Sequence, residues 1–146
     1  DRALHPPAAI QAVATTDQLA ALQGKCRTVY VDPSLVQYAV KLVSATRRPS
    51  DHGLTDMARF ITFGASPRAS IGLTEGARAL ALLRGRAYVL PEDMLDLVPD
   101  VLRHRIALSY EALAEGVTAD SLVTQITRKL PAPVTPLQHD YGKQTN

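Results

Sequence analysis

Gly64-Ala65-Ser66-Pro67-Arg68-Ala69-Ser70 runs directly into Ile71-Gly72-Leu73-Thr74-Glu75-Gly76-Ala77-Arg78-Ala79-Leu80-Ala81-Leu82-Leu83, and the rest of the chain is read outward from this stretch. It has the form of a helix start followed by an amphipathic helix. Ser66 is placed to be the N-cap, its hydroxyl accepting from one of the first backbone N–H groups that a helix leaves unpaired. Pro67 suits the first helical position, where its fixed φ helps and its missing N–H costs nothing. Arg68 then falls in the first turn, at the positive end of the helix dipole, where a cation is mildly disfavoured and an anion is welcome. Spacing alone leaves two readings of Arg68 open. One is a solvated surface arginine; the other is an anion site in which backbone donors and a bidentate guanidinium hold a phosphate together.

Within the helix, Ala69, Leu73, Ala77 and Leu80 recur three or four residues apart and mark a buried face. Gly72 and Gly76 thin the adjoining strip. Each costs a helix interior about 0.5–1 kcal/mol relative to alanine, which points to close approach of another backbone, from this domain or from a neighbouring subunit. Arg84-Gly85-Arg86 ends the helix, Gly85 suiting a left-handed cap and the arginines suiting the negative dipole end. Pro91-Glu92-Asp93 opens the next helix, with Met94, Leu95 and Val98 as its apolar face. Pro99 is expected to interrupt it and start a short second helix.

Upstream, the prolines at 6 and 7 predict an extended connecting segment over residues 1–15. Thr16-Asp17 caps a helix whose Leu19 and Leu22 are expected to face inward. Residues 27–31 read as a short strand, and 106–108 supply its expected partner, a two-stranded pairing of 28–31 with 105–108. Asp32-Pro33 opens a helix with Leu35, Val36, Ala39, Val40, Leu42 and Val43 at helical spacing. Residues 50–63 lack a period and read as a loop with Phe60 to Phe63 tucked against the body. Residues 110–114 are ambiguous. Thr118-Ala119-Asp120 starts a last helix with Leu122, Val123, Ile126 and Leu130 on one side, and a mobile tail is expected from Pro131.

Composition agrees with a helical domain. The 146 residues suffice for one ordinary core, and 46% hydrophobic with 21% charged residues argues against global disorder. With no Trp and two Phe, the core rests on Leu, Val, Ile and Ala, a mix suited to closely packed helices. A formal charge of +2 is weak support for a nucleic-acid partner. Cys26 is the sole cysteine and cannot form an internal disulfide, which fits a cytoplasmic location. No apolar run approaches the ~18–20 residues of a membrane span. The chain opens on Asp1 rather than Met, and we expect it to be a piece of a longer protein.

The string GASPRAS, then ARALALLRGRAYVLPEDM, then VLRHRIAL, resembles the C-terminal lid of the MoxR-type AAA+ ATPases, with similarity from roughly His5 to Arg128. The resemblance implies a small helical bundle of about five helices spanning residues 16–130. It implies that Arg68 is the sensor-2 arginine, reaching the terminal phosphate of ATP bound to an upstream core, with Ser66 and Pro67 shaping its helix start. ATP and Mg²⁺ would then be cofactors of the parent protein. Its partners would be that core, neighbouring subunits of a homo-oligomeric ring, and client proteins, von Willebrand factor A-type domain proteins among the candidates. Residues 50–63 run longer than the family's usual connection.

The chain itself carries no GxxxxGK[ST] loop and no acidic pair after an apolar strand, so no ATP hydrolysis is expected from it alone. His5, His52, His104 and His139 lack zinc-ligand spacing, no metal site is assigned, and Ser66 has no adjacent histidine to make it a nucleophile. Arg103 and Arg105, like Gly72 and Gly76, are candidate interface residues. Two other readings stand beside the lid. A DNA-binding helix-turn-helix module would use Arg47-Arg48, Arg84/Arg86 and Arg103/Arg105; an oligomerisation or adaptor domain would never meet nucleotide.

Overall fold

Proline sets the first turn of two of the main helices, and polar side chains cap most of the others. The computed structural model describes residues 11–134. Among these, α1 spans Thr16–Thr28, α2 Pro33–Arg47, α3 Arg68–Leu83, α4 Pro91–Leu102, α5 Tyr110–Ala114 and α6 Ala119–Lys129. Short 3₁₀ turns cover Pro49–His52, Thr55–Phe60 and Arg103–Arg105, and two strands, β1 (Ile61–Phe63) and β2 (Ala107–Leu108), pair antiparallel. The Thr15 hydroxyl accepts from the Gln18 amide, Asp32 from Ser34, Ser109 from Ala112 and Thr118 from Ser121, each satisfying an otherwise orphaned donor. The architecture is the expected mainly α bundle with a short two-stranded pairing.

Helices α2, α3, α4 and α6 enclose the core. Leu35, Leu42, Leu73, Met94, Val98, Leu102, Leu122 and Ile126 are fully buried where these helices meet. Tyr38, on the inner face of α2, donates its hydroxyl to the Leu130 carbonyl at 2.8 Å and ties the end of α6 to α2. Burial pushes the Tyr38 phenol up to about 12.

Four local expectations are corrected. The strand partner of β2 is β1 rather than residues 28–31, with Ile61 opposite Leu108 and Phe63 opposite Ala107. Residues 27 and 28 complete α1, and Tyr30 makes an isolated parallel bridge to Tyr88, its N–H donating to the Ala87 carbonyl and its carbonyl accepting from Val89. That backbone is therefore engaged elsewhere. Leu19 and Leu22 do not face inward; they are 55% and 52% exposed, because α1 buries none of its residues and meets the body only near its C-terminal end. Pro99 does not break its helix. α4 runs through it to Leu102, since proline removes a single N–H and the Arg103 amide resumes the pattern by donating to the Pro99 carbonyl, while Val98 and Leu102 anchor one buried face.

Residues 50–63 are the fourth case, forming two 3₁₀ turns and a strand instead of an irregular loop. Arg59 holds them to α5 through Glu111 and Glu115, at 2.5 and 2.7 Å, and stacks 4.3 Å over the Phe60 ring. Phe60 and Ile61 pack on the core, but Phe63 is 71% exposed. The ambiguous residues 110–114 are helical. Residues 1–10, and the expected tail from residue 135 on, lie outside the described residues.

Candidate functional site

The start of α3 is built on the end of α2. Thr46 is fully buried; its hydroxyl donates to the Val43 carbonyl at 2.7 Å and accepts from the Ala65 amide at 2.9 Å. Gly64 lies so close to this turn that a Cβ would meet the Thr46 carbonyl oxygen at 2.2 Å and the Arg47 nitrogen at 2.7 Å. Glycine is therefore obligatory at 64, because the obstruction is backbone and cannot rotate away. Ala65 and Ala69 are fully buried on either side of the Ser66-Pro67-Arg68 bend, so the bend is clamped at both ends.

Clamping replaces the expected cap. Pro67 takes helical angles (φ −54°, ψ −26°), and the Ser66 hydroxyl makes no hydrogen bond among the described residues. The first turn is closed by carbonyls: Ser66 accepts from the Ala69 amide at 2.9 Å, and Pro67 from the Ser70 amide at 3.1 Å and the Ser70 hydroxyl at 2.7 Å. Ser66 thus contributes its backbone to the helix start, and the capping role read from its side chain is withdrawn. Arg68 is exposed and has no hydrogen bond or ion pair among the described residues.

Arginines further along the chain are engaged. Beyond the end of α3, Arg84 and Arg86 converge on Asp93, whose side chain is fully buried. Arg84 Nη1 lies 2.7 Å and Arg86 Nη2 2.5 Å from one Asp93 oxygen, while the other accepts from Arg86 Nη1 at 2.6 Å and from the Leu90 amide at 2.8 Å. Arg84 also reaches Asp96 at 2.6 Å. Burial by itself would raise the Asp93 pKa; the bonds from Arg86, the Leu90 amide and Arg84 outweigh it and hold the carboxyl below its ordinary value. These arginines were read as helix-end cations, and the carboxylate that employs them was missed. The only sequence signal was the third position of Pro91-Glu92-Asp93, which also suits the bond to the Leu90 amide that caps α4.

Arg78 was likewise not singled out. Its Nη1 donates to the carbonyls of Arg27 (2.8 Å) and Val29 (3.0 Å), fastening the end of α1 to the middle of α3. Arg103 pairs with Asp100 and Asp120, each at 3.2 Å, linking the end of α4 to the start of α6. Arg105 is exposed and without such a bond among the described residues. Gly72 and Gly76 face α4 of the same domain: a Cβ would lie 3.7 Å from Val101 Cγ1 at Gly72 and 3.1 Å from Leu97 Cδ1 at Gly76. The neighbours are side chains, not the backbone that two glycines suggested. Of the basic groups invoked for DNA binding, Arg84, Arg86 and Arg103 are thus spent on internal carboxylates. Among the described residues no cluster of His, Cys, Asp or Glu is placed to hold a metal ion, and no helix is long and apolar enough to cross a membrane.

The central helix of this bundle thus starts on a clamped Gly-Ala-Ser-Pro bend with an exposed arginine at its mouth. The AAA lid domain family matches residues 53–126, and the chain belongs to that family. It is 43% identical over 128 residues to Chaperone MoxR1 of Mycobacterium tuberculosis, covering 88% of this chain and 34% of that protein. Protein MoxR of Paracoccus denitrificans is 37% identical over 110 residues, covering 71% of this chain and 32% of that one. The crystal structure of a candidate ATPase from Cytophaga hutchinsonii superposes with a TM-score of 0.80 at 38% identity, covering 84% of this chain and 37% of that chain. The chain thus spans about a third of the length of the curated relatives it matches.

Proposed function

We propose that this chain is the lid of a MoxR-type AAA+ ATPase and that Arg68 is its contribution to the nucleotide site, contacting the terminal phosphate of ATP bound by a core domain. The observation that carries this is the contrast at Arg68. The side chain sits on a bend fixed by buried Ala65, by Ala69 and by the obligatory Gly64, yet it is exposed and makes no bond among the described residues. A precisely held cation at the positive end of a helix is locally unfavourable, and a phosphate turns both charges to advantage. ATP and Mg²⁺ supply phosphoryl-transfer chemistry when bound; the described residues offer a guanidinium for phosphate and no acidic cluster for the metal, which we assign to the core.

The lid then acts by position. Arg68 rides on α3, and α3 is locked to α4 by Asp93 and to α1 by Arg78. A pull on Arg68 therefore moves the bundle as a body, which is how such a lid couples nucleotide state to remodelling or assembly of client proteins in a ring of like subunits. The name of the mycobacterial relative, Chaperone MoxR1, supports that reading. Client recognition, with von Willebrand factor A-type domain proteins as candidates, and a cytoplasmic location belong to the same proposal. ATP turnover by the full-length protein tests it. Arg68→Ala is expected to lower turnover by about 10³-fold with circular dichroism unchanged; equal turnover would leave an adaptor that never meets nucleotide.

A further inference from the structure

Resting on the lid reading, we infer that Arg47 is a second phosphate-binding arginine, its backbone seated at the start of the bend that carries Arg68. Arg47 is remote in sequence from that bend and meets its first residue, Gly64. That glycine abuts the Arg47 backbone nitrogen, at 2.7 Å from where a Cβ would stand, and the following amide of Ala65 is bonded to Thr46. The Thr46-Arg47 pair is the seat on which the Arg68 bend rests.

The two segments that form this junction supply no carboxylate of their own. Residues 44–48 and 64–70 contain Arg47, Arg48 and Arg68 and no Asp or Glu. Arg47 and Arg68 are both exposed and make no side-chain hydrogen bond or ion pair among the described residues, as is also true of Arg27, Arg48, Arg105 and Arg128, whereas Arg59, Arg78, Arg84, Arg86 and Arg103 are each bonded to carboxylates or carbonyls. Of the unbonded ones, Arg47 is the one whose backbone meets Gly64. The dipole of α2 favours a cation at its C-terminal end and accounts for some basic residue there. It does not account for a second unbonded arginine, Arg68, on the bend whose first residue, Gly64, packs on this residue's backbone. A multivalent anion between them would engage both cations. The terminal phosphate of a nucleoside triphosphate has oxygens enough for two guanidinium forks. Arg48 is the weaker choice, because its backbone has already turned out of α2 (φ −137°, ψ 67°) toward the 3₁₀ segment that carries Asp51.

The test is steady-state ATP turnover by the full-length protein for Arg47→Gln, Arg47→Lys, Arg68→Gln and the Arg47/Arg68 double variant, with thermal unfolding of each recorded. The inference predicts a fall in kcat/KM of about tenfold or more for Arg47→Gln. It predicts a smaller fall for Arg47→Lys, which keeps the charge and loses the fork, and a double variant less impaired than the product of the single losses. A fall for Arg68→Gln with Arg47→Gln at the wild-type value overturns the role of Arg47 and leaves the lid reading standing. Independent, multiplicative losses overturn the shared phosphate. Wild-type turnover in both single variants overturns the lid reading and this inference together. Should Arg47→Gln lower the melting temperature, Arg47→Lys decides: loss at unchanged stability supports the role, and full activity overturns it.

Discussion

At its C-terminal end α3 hands over to Arg84 and Arg86, whose guanidinium groups enclose a fully buried carboxylate; at its N-terminal end Arg68 reaches solvent with no partner among the described residues. Both ends carry arginine, two at the C-terminal end and one at the N-terminal end, although helix electrostatics favours cations only at the C-terminal end and disfavours them at the N-terminal end. The difference lies in what each cation touches. Arg84 and Arg86 make possible a buried charge that would otherwise be prohibitive, and so hold α3 to α4. Arg68 holds nothing among the described residues, and a bend rigid enough to aim it has been built underneath.

The comparison breaks most visibly at Asp93. Replacing it with Ala leaves two arginines facing a buried gap, and we expect about 3 kcal/mol of destabilisation, the lower end for a broken buried ion pair because the arginines retain some access to water. For a chain of this size that is a fall of about 8 °C in melting temperature, measured by calorimetry; a change under 2 °C would remove the structural role of that end. At the other end, Gly64→Ala drives a Cβ into the Thr46 carbonyl. We expect about 2 kcal/mol of overpacking cost, with the amide shifts of Ala65 to Ala69 most affected. A variant as stable as wild type would mean that the seat is softer than it looks.

Acid sharpens the contrast. The Asp93 carboxyl titrates below its ordinary value of 3.8, so the folded state resists its protonation. Its contribution is present above about pH 4 and is lost as the pH falls through the depressed value. Wild type is therefore expected to lose stability relative to Asp93→Asn as the pH falls below about 4; parallel curves would contradict the assignment. The smallest effects belong to the middle of α3. Gly72→Ala has ordinary room beside Val101 and should stabilise by about 0.5–1 kcal/mol, the helix-propensity gain. Gly76→Ala must displace the flexible end of Leu97 at 3.1 Å and should gain less, at most about 0.5 kcal/mol. A loss of oligomer at unchanged folding would return both glycines to a subunit contact.

What was legible in the sequence follows from the range of the signal. Helices α2, α3 and α6 announced themselves because burial repeats at 3.6 residues and each starts at a cap, a proline or both. Strands of two or three residues carry no register, so nothing local set Ile61 to Phe63, read as part of a loop, above Val29 to Val31 as the partner of β2. Leu19 and Leu22 gave the right helix and the wrong environment, since periodicity selects a face and says nothing of what covers it. Arg68 was visible through its motif. Asp93 was not, because its partners lie seven and nine residues away across a turn, beyond any local rule. Gly64 was invisible for the same reason: its obstruction comes from Thr46, eighteen positions upstream.

Arg68→Gln and Arg86→Gln, made in the full-length protein and measured side by side for thermal unfolding and ATP turnover, test the division between the two ends most directly. The account predicts that Arg68→Gln melts with the wild type and loses turnover, whereas Arg86→Gln melts earlier because Asp93 loses two of its four bonds. An Arg68 variant that turns over ATP normally, or that loses activity only in step with stability, would contradict it.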